Sequence, residues 1–296
     1  MDSYSILVSV EDVKQMRRRI QQKKTVVAYL GPDGTFSEQA AKKYFSSSEV
    51  GYLPLSSIEE VFKAVKNGKA LYGVVPVENS LEGSVNETLD LLLDSKLMAY
   101  GEVELRIEHC LIVKPHTRLE DVKLVLSKNQ ALAQCRQFLV RNLPKAEIKE
   151  VNSTAKAVEM LRNMKNVAAI GTENAAEHCG MTVLVKGIED NPNNFTRFFI
   201  LSKEDSPPTR RDKTSIIFSA KNIPGSLYNI LGAFAIREIN LTKVESRPVR
   251  GRTWEYIFYL DFEGHRNDTR SRDALKEIEE KCIFIKILGS YPKAAS

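Results

Sequence analysis

Residues 25–45, TVVAYLGPDGTFSEQAAKKYF, contain three local patterns in succession. Residues 25–31 are mostly β-branched or apolar, a Gly-Pro-Asp-Gly turn closes them, and residues 37–45 have helical spacing. The Ser37 hydroxyl is expected to cap that helix. The stretch therefore predicts a strand, a glycine-rich turn and a helix.

The same pattern recurs directly downstream. Residues 50–55 read as a strand, 56–68 as a helix and 70–78 as another strand. A βαβαβ order implies a parallel sheet with helices on its faces.

A second set of elements begins near Glu104 and predicts a second α/β lobe over about 104–188. Its strands and helices are expected at 104–115, 122–128, 129–143, 147–153, 154–164 and 167–172. Residues 204–213 are polar and contain proline, as linkers do. Residues 214–291 then follow a βαββαβ order, which is typical of a ferredoxin-like α+β sandwich.

Length and composition indicate a globular protein of roughly two domains. The chain has 296 residues, 43% hydrophobic and 27% charged. No apolar run reaches the roughly 18–20 residues that span a bilayer. The four cysteines (Cys110, Cys135, Cys179, Cys282) form no CxxC pair, which argues against a disulfide framework or a zinc site and favours the cytoplasm.

The positive charge is concentrated at the start of the chain. Residues 1–24 hold six Lys/Arg against three Asp/Glu, or +3 of the net +5. The basic cluster follows the weak apolar stretch, the reverse of a secretory signal. We expect a solvated extension there, no export, and neither nucleic-acid nor membrane partners.

Several common active sites are excluded by their missing motifs: no GxGxxG follows a strand, and GxxxxGK[ST], GxSxG and HExxH do not occur. The His-Cys neighbours at 109–110 and 178–179 point in different directions and suggest an ordinary packed or surface role. We expect no metal and no cofactor.

Three polar clusters lie at strand ends: GPDGTFS (31–37), PVENSLEGSV (76–85) and NNFTRFFIL (193–201). Helix N-termini and the carboxyl ends of parallel strands are where anions and ligands bind. A helix cap, a polar turn and a half-buried strand are the plain alternatives. Together the clusters supply hydroxyls, amides and one cation without a nucleophile–base pair, which suits binding and dehydrating a small dianion.

These clusters, together with SKNQALAQC and AAIGTENAAEHCGM, occur in an order and spacing that resemble prephenate dehydratase over about residues 25–203. PGSLYNIL and VESRP resemble the phenylalanine-binding elements of the ACT domain that follows it in that family. The resemblance implies two lobes like a type II solute-binding protein, with a cleft between them. One departure is visible: Lys128 and Asn129 stand where the family often has histidine and proline.

The resemblance also implies roles for residues. Thr196, Arg197 and Phe198 form the catalytic signature. The expected substrate-binding residues are Thr35, Phe36, Ser37, Glu78, Asn79, Ser80, Ser127, Gln130, Gln134 and Asn194. The expected effector-binding residues are Asn222, Pro224, Gly225, Ser226, Leu227, Tyr228, Glu245, Ser246, Arg247 and Pro248.

The implied reaction converts prephenate to phenylpyruvate, water and CO₂ in phenylalanine biosynthesis. We expect the Thr196 hydroxyl to assist the departing oxygen and Arg197 to hold a carboxylate of the substrate, the pyruvyl one in preference. ACT domains of this kind pair and bind the amino acid between them, which implies a homodimer or homotetramer with L-phenylalanine as effector.

Two alternatives stay open. The substrate is either prephenate or arogenate, and a non-catalytic small-anion-binding protein on the same fold is a rival reading. Residues 1–24 resemble a remnant of a fused chorismate mutase helix, but they are too few for that all-helical site, and we expect no mutase activity.

Overall fold

The computed structural model describes residues 25–248 and 256–294. The basic extension predicted at residues 1–24 lies outside that range. Within the described residues there are three sheets, each with helices packed on it, and no helix long and apolar enough to cross a membrane.

The first lobe confirms the predicted βαβαβ unit. Its sheet has the strand order β2-β1-β3-β11-β5, in which β1 pairs in parallel with β2 and β3. The strands are β1 (Thr25–Leu30), β2 (Val50–Leu55), β3 (Tyr72–Asn79), β4 (Gly83–Ser84), which pairs with β3, β5 (Met98–Arg106) and β11 (Phe195–Ser202). The helices are α1 (Phe36–Tyr44), α2 (Ile58–Lys66) and α3 (Asn86–Asp94).

Strand β11 follows the second lobe in the chain but lies in the sheet of the first. It runs antiparallel to both of its neighbours, β3 and β5. In this register Thr196 is opposite Asn79 and Arg197 is opposite Glu78. The return of β11 therefore joins two of the polar clusters that are far apart in sequence.

The second lobe has the strand order β10-β6-β9-β7-β8. Its strands are β6 (Cys110–Val113), β7 (Leu124–Ser127), β8 (Glu147–Glu150), β9 (Val167–Gly171) and β10 (Thr182–Lys186). Its helices are α4 (Asn129–Gln134), α5 (Arg136–Asn142), α6 (Thr154–Met160) and α7 (Glu173–Cys179). Every residue of β9 is buried, as expected for a strand covered on both faces.

Two predicted elements of this lobe are each divided in the structure. The helix expected at 129–143 breaks at the buried Cys135, which has non-helical backbone angles. The strand expected at 104–115 is two strands: β5 ends at Arg106 in the first lobe, and β6 starts at Cys110 in the second. The chain thus crosses between lobes at residues 107–109.

The C-terminal region confirms the predicted βαββαβ order. Its elements are β12 (Asp212–Ala220), α8 (Ser226–Ala235), β13 (Leu241–Pro248), β14 (Tyr256–Glu263), α9 (Thr269–Lys281) and β15 (Cys282–Pro292). The antiparallel sheet has the order β13-β14-β12-β15. Strand β12 begins inside the predicted linker, at Asp212.

The two faces of this C-terminal sheet have different neighbours. Ile216, Phe218 and Leu260 pack with α8 and α9, whereas Ile217 and Tyr259 belong to the core of the first lobe. The sheet is therefore placed between its own helices and the first lobe.

Lys286 reinforces this contact between the two domains. Its Nζ donates to the carbonyl oxygens of Leu92 (2.8 Å) and Leu93 (2.6 Å) at the C-terminal end of α3. A cation is favoured there by the helix dipole. Burial lowers the pKa of Lys286 below its ordinary value.

Candidate active site

A cleft of ≈ 1010 Å³ lies between the two lobes. Its walls include segments of the first lobe, second-lobe segments that precede β6 and follow β7 and β8, and β11. The predicted site residues that line it are Thr35, Phe36, Ser37, Asn79, Gln130, Gln134, Thr196 and Phe198.

Three nine-residue helices of the first lobe begin at the cleft, namely α1, α2 and α3. The N-cap of α1 is Thr35 and not Ser37: its Oγ1 accepts from the Glu38 backbone N–H at 3.4 Å and donates to the Leu30 carbonyl oxygen at 3.0 Å. Helix N-termini carry partial positive charge, so this wall favours an anionic ligand.

The Thr196 hydroxyl is oriented by Asn79. The Asn79 Oδ1 accepts the backbone N–H groups of Leu81 (3.0 Å) and Glu82 (3.1 Å), which fixes which end of the amide is Nδ2. That Nδ2 donates to Thr196 Oγ1 at 2.9 Å. Because Thr196 Oγ1 accepts this bond, its own proton remains to be donated toward the cleft that Thr196 lines.

The same amide network continues into the second lobe. Asn79 Nδ2 also donates to Asn194 Oδ1 at 2.8 Å, and Asn194 Nδ2 donates to Gln134 Oε1 at 3.2 Å. Gln134 Nε2 in turn donates to a Glu82 carboxylate oxygen at 2.9 Å. Asn194 is buried and stands behind the cleft wall, where it holds Asn79 and Gln134 in place.

His109 lines the cleft, although its sequence context indicated only an ordinary packed or surface role. Its Nε2 lies 2.9 Å from Gln134 Oε1, so the proton of a neutral ring sits on Nε2. Its buried Nδ1 has no hydrogen-bond partner among the described residues. Burial lowers the pKa of His109, which keeps the ring neutral at pH 7. The signal in the sequence was its place in the short segment between two apolar strands.

Arg197 lies on the opposite face of β11 from the cleft. Its Nε is 2.7 Å from a Glu102 carboxylate oxygen, and its two terminal nitrogens contact Asp261 (2.6 Å) and the Tyr291 hydroxyl (2.8 Å). Burial alone would lower the pKa of Arg197, but Tyr291, Asp261 and Glu102 together raise it well above its ordinary value.

This geometry does not support the predicted contact between Arg197 and a substrate carboxylate. Adjacent residues of a strand face opposite sides, so a cleft-facing Thr196 directs Arg197 toward the C-terminal domain. Asp261 belongs to β14 and Tyr291 to β15. Arg197 therefore links the strand that carries Thr196 to the C-terminal sheet.

Three other predicted substrate-binding residues also lie off the cleft surface. Glu78 faces the C-terminal domain, with Lys243 Nζ at 3.1 Å. Ser80 Oγ accepts from the Phe195 backbone N–H at 2.9 Å. Ser127 is fully buried, and its Oγ donates to the Ile170 carbonyl oxygen at 2.8 Å. The Ser80 and Ser127 hydroxyls thus hold the backbone of neighbouring strands beside the cleft.

The predicted effector residues divide between the two faces of the C-terminal sheet. Gly225 has φ of 80° and is the N-cap of α8, on the face of the sheet that the helices cover. In β13 the side chains alternate: Arg247 contacts Asp90 of α3 at 2.8 Å, and Glu245 accepts a hydrogen bond from Ser84, which lines the cleft. Ser246 and Pro248, between and beyond them, are exposed.

No group of three or more His, Cys, Asp or Glu side chains within residues 25–248 and 256–294 is arranged to hold a metal ion. All four cysteines are free thiols, and burial raises the pKa of Cys110 to about 11. A thiol whose pKa is raised in this way stays protonated at neutral pH, so Cys110 is not an activated nucleophile.

Comparison with known proteins identifies the family of the chain. The family model for prephenate dehydratase matches residues 27–206, and that for the ACT domain matches residues 214–280. A bifunctional chorismate mutase/prephenate dehydratase of Aquifex aeolicus is 46% identical over 92% of this chain and 75% of its own length. Arogenate dehydratase/prephenate dehydratase 2 of Arabidopsis thaliana is 39% identical over 90% of this chain and 72% of its own.

Solved structures are similar over most of the chain. A prephenate dehydratase of Arthrobacter aurescens in complex with L-Phe has a TM-score of 0.83 and 33% identity, covering 91% of this chain and 90% of its own. GqqA, described as a quorum quenching acylase, has a TM-score of 0.83 and 31% identity, covering 91% and 98%. With its matching catalytic and ACT regions, the chain belongs to the prephenate dehydratase family.

Proposed function

We propose that the chain converts prephenate to phenylpyruvate, water and CO₂ as a carbon–oxygen lyase of phenylalanine biosynthesis. The observation that carries this proposal is the Thr196 hydroxyl, which accepts from Asn79 and keeps its proton for the cleft. A hydroxyl so placed can donate to a departing oxygen.

The reaction requires little covalent help from the protein. The C–C bond to the ring carboxylate breaks, its electron pair enters the ring, and the C–O bond to the 4-hydroxyl breaks. The ring becomes aromatic, and the hydroxide takes up a proton to leave as water. Thr196 stabilises the charge that develops on this oxygen, an interaction strongest in the transition state.

Arg197 has a positioning role in this account. Its guanidinium is held by Glu102 and Asp261 beneath the strand that carries Thr196. The ion pairs fix β11 against the neighbouring strand and against the C-terminal domain. A small displacement of a reacting group can cost about 10²-fold in rate, so this support contributes to catalysis without touching the substrate.

Arogenate is the second candidate substrate, because a relative with 39% identity carries both activities in its name. It differs from prephenate only where an amino group replaces the side-chain keto group. The Thr196 end of the cleft serves either molecule, since both lose the same 4-hydroxyl.

Regulation by L-phenylalanine at the ACT domain is part of the proposal, supported by the L-Phe complex of a 33% identical relative. The positive φ of Gly225 lets the backbone at the start of α8 approach a ligand closely. Contacts of Glu245 with Ser84 and of Arg197 with Asp261 would carry the signal to the cleft.

We also infer that the ACT region mediates a homodimer or larger homo-oligomer. Seven of the twelve exposed large hydrophobic side chains among the described residues belong to it, namely Ile223, Tyr228, Ile236, Val244, Tyr256, Ile283 and Phe284. Strand β13 is also at the edge of its sheet, with no further strand beside it among residues 25–248 and 256–294. Four free thiols favour a cytoplasmic location.

The test is to incubate the purified chain with prephenate and, separately, with arogenate, each with and without L-phenylalanine, and to quantify products. Phenylpyruvate from prephenate is the expected result. Phenylalanine formed only from arogenate would select the second candidate. Tight binding of prephenate without any product would instead identify an anion-binding protein and contradict the proposal.

A further inference from the structure

Lys128 is the only lysine or arginine among the described residues that line the cleft. It stands at the end of β7 in the second lobe, immediately before α4, and is exposed. Neither a salt bridge nor a hydrogen bond engages its ammonium group in the described structure. The ammonium is therefore available to a ligand.

The other cations near the Thr196 network are already paired. Arg197 is held by Glu102 and Asp261, Lys213 contacts Glu102 at 2.9 Å, and Lys243 contacts Glu78 at 3.1 Å. All three are nearly buried where the first lobe meets the C-terminal sheet, and none of them lines the cleft.

The cleft also needs a cation to receive a dianion. Within the described part of the chain, three carboxylates line it, those of Asp33, Glu82 and Glu87. The negative charges of these side chains repel a carboxylate ligand unless a positive charge nearby offsets them. Among the described residues of these walls, Lys128 is the side chain that supplies a cation.

The shape of the substrate relates Lys128 to Thr196. Prephenate has its 4-hydroxyl at one end of the ring, and both carboxylates are attached through the opposite ring carbon. With the hydroxyl at Thr196 on the first-lobe side, the acidic end is directed to the second lobe. Lys128 lies on that second-lobe wall, near Gln130.

Resting on the proposed function, we propose that Lys128 binds the pyruvyl carboxylate of the substrate and sets its affinity, the role that the sequence assigned to Arg197. The ring carboxylate is the poorer partner, because its charge disperses as CO₂ leaves. A cation there would stabilise the ground state more than the transition state. The pyruvyl carboxylate keeps its charge throughout the reaction.

The experiment compares Lys128→Met and Lys128→Arg with the unmodified full-length chain, and uses Lys145→Met, an exposed lysine off the cleft, as the matched control. Steady-state kinetics give KM and kcat for prephenate, and phenylpyruvate serves as a product inhibitor. Phenylpyruvate retains the pyruvyl carboxylate and lacks the ring carboxylate.

Loss of a charge-assisted hydrogen bond predicts a rise in KM of roughly tenfold or more for Lys128→Met, with kcat changed less than about threefold. The inhibition constant of phenylpyruvate should rise in parallel, Lys128→Arg should restore both values, and Lys145→Met should resemble the unmodified chain.

Either of two results would overturn the inference while leaving the proposed function intact. One is an unmodified chain that turns over prephenate together with a Lys128→Met variant of equal KM. The other is a raised KM with an unchanged phenylpyruvate inhibition constant, which would place Lys128 at the ring carboxylate. Failure of the proposed function is distinct: the unmodified chain would form no product.

Discussion

At the scale of single residues, the direction of one hydrogen bond decides what Thr196 can do. Asn79 Oδ1 is occupied by two backbone N–H groups, so its Nδ2 donates to Thr196 Oγ1. An acceptor in place of this donor would take the Thr196 proton for itself. The amide is thus as necessary as the hydroxyl.

The substitution Asn79→Asp tests this dependence. The carboxylate should accept the Thr196 hydroxyl and lower kcat by about 10²-fold, the cost of misdirecting a reacting group. Stopped-time product assays and KM for prephenate are the readouts, with Asn142→Asp on the exposed surface as control. A kcat within threefold of the unmodified chain would contradict the assignment.

His109 makes stability depend on pH with a definite sign. Its pKa is lowered by burial, so as pH falls the unfolded chain takes up the proton before the folded one. The stability associated with the neutral ring is fully present above the ordinary imidazole pKa of about 6.5 and declines as pH falls below it.

Urea unfolding at about pH 7.5 and about pH 5.5, on either side of that ordinary imidazole pKa, measures the effect. The loss of stability between the two conditions should be smaller for His109→Gln than for the unmodified chain, because glutamine does not titrate. Equal losses in the two proteins would mean that the His109 pKa is not lowered.

At the same scale, the sequence was informative about residue types and less so about their directions. The clusters around Thr35, Asn79 and Thr196 were identified from their place at strand ends, and all three line the cleft. The direction of Arg197 was not identified. Strand alternation separates it from Thr196, but only the packing of the third sheet reveals that its face is covered by acidic partners.

At the scale of elements, β11 connects the chemistry to the C-terminal domain. Thr196 and Phe198 face the cleft, and Arg197 between them pairs with groups on β5, β14 and β15. Its place between β3 and β5 follows from long-range pairing that local patterns do not encode. Local periodicity predicted a strand there but did not predict which strands would pair with it.

Replacing Arg197 with methionine should destabilise the fold. Removing one partner of a buried ion pair costs about 3–5 kcal/mol, because the Asp261 carboxylate loses its cation and Glu102 keeps only Lys213. Guanidinium unfolding gives the comparison, with the exposed Arg141→Met expected within about 0.5 kcal/mol of the unmodified chain.

The same variant separates a positioning role from direct binding. If Arg197 bound the substrate instead, Arg197→Met would raise KM and keep the unmodified unfolding midpoint. That result would restore the role assigned from the sequence.

At the scale of the whole molecule, the two faces of β13 have different surroundings. Ser246 is exposed on one side, whereas Glu245 and Arg247 contact Ser84 and Asp90 of the first lobe on the other. An effector that shifts this strand would act directly on a residue of the cleft wall. The βαββαβ pattern predicted the domain but not its placement, because docking depends on surfaces that form only after folding.

The substitution Glu245→Gln tests that connection. L-Phenylalanine should still bind by calorimetry, while its effect on KM for prephenate should shrink several-fold from the 5- to 150-fold range typical of allosteric coupling. Lost binding would make Glu245 an effector ligand, as the sequence suggested. Unchanged coupling would exclude its contact with Ser84 as the link.

The Thr196 hydroxyl is central to the proposed reaction, and the most direct test compares Thr196→Val and Thr196→Ser with the unmodified chain in a prephenate turnover assay. Valine keeps the shape and removes the proton, so kcat should fall by at least about 10²-fold with KM nearly unchanged. Serine, which keeps the hydroxyl, should recover most of the rate. A Thr196→Val variant that holds kcat and raises KM would contradict the account, because Thr196 would then bind the substrate without assisting its dehydration.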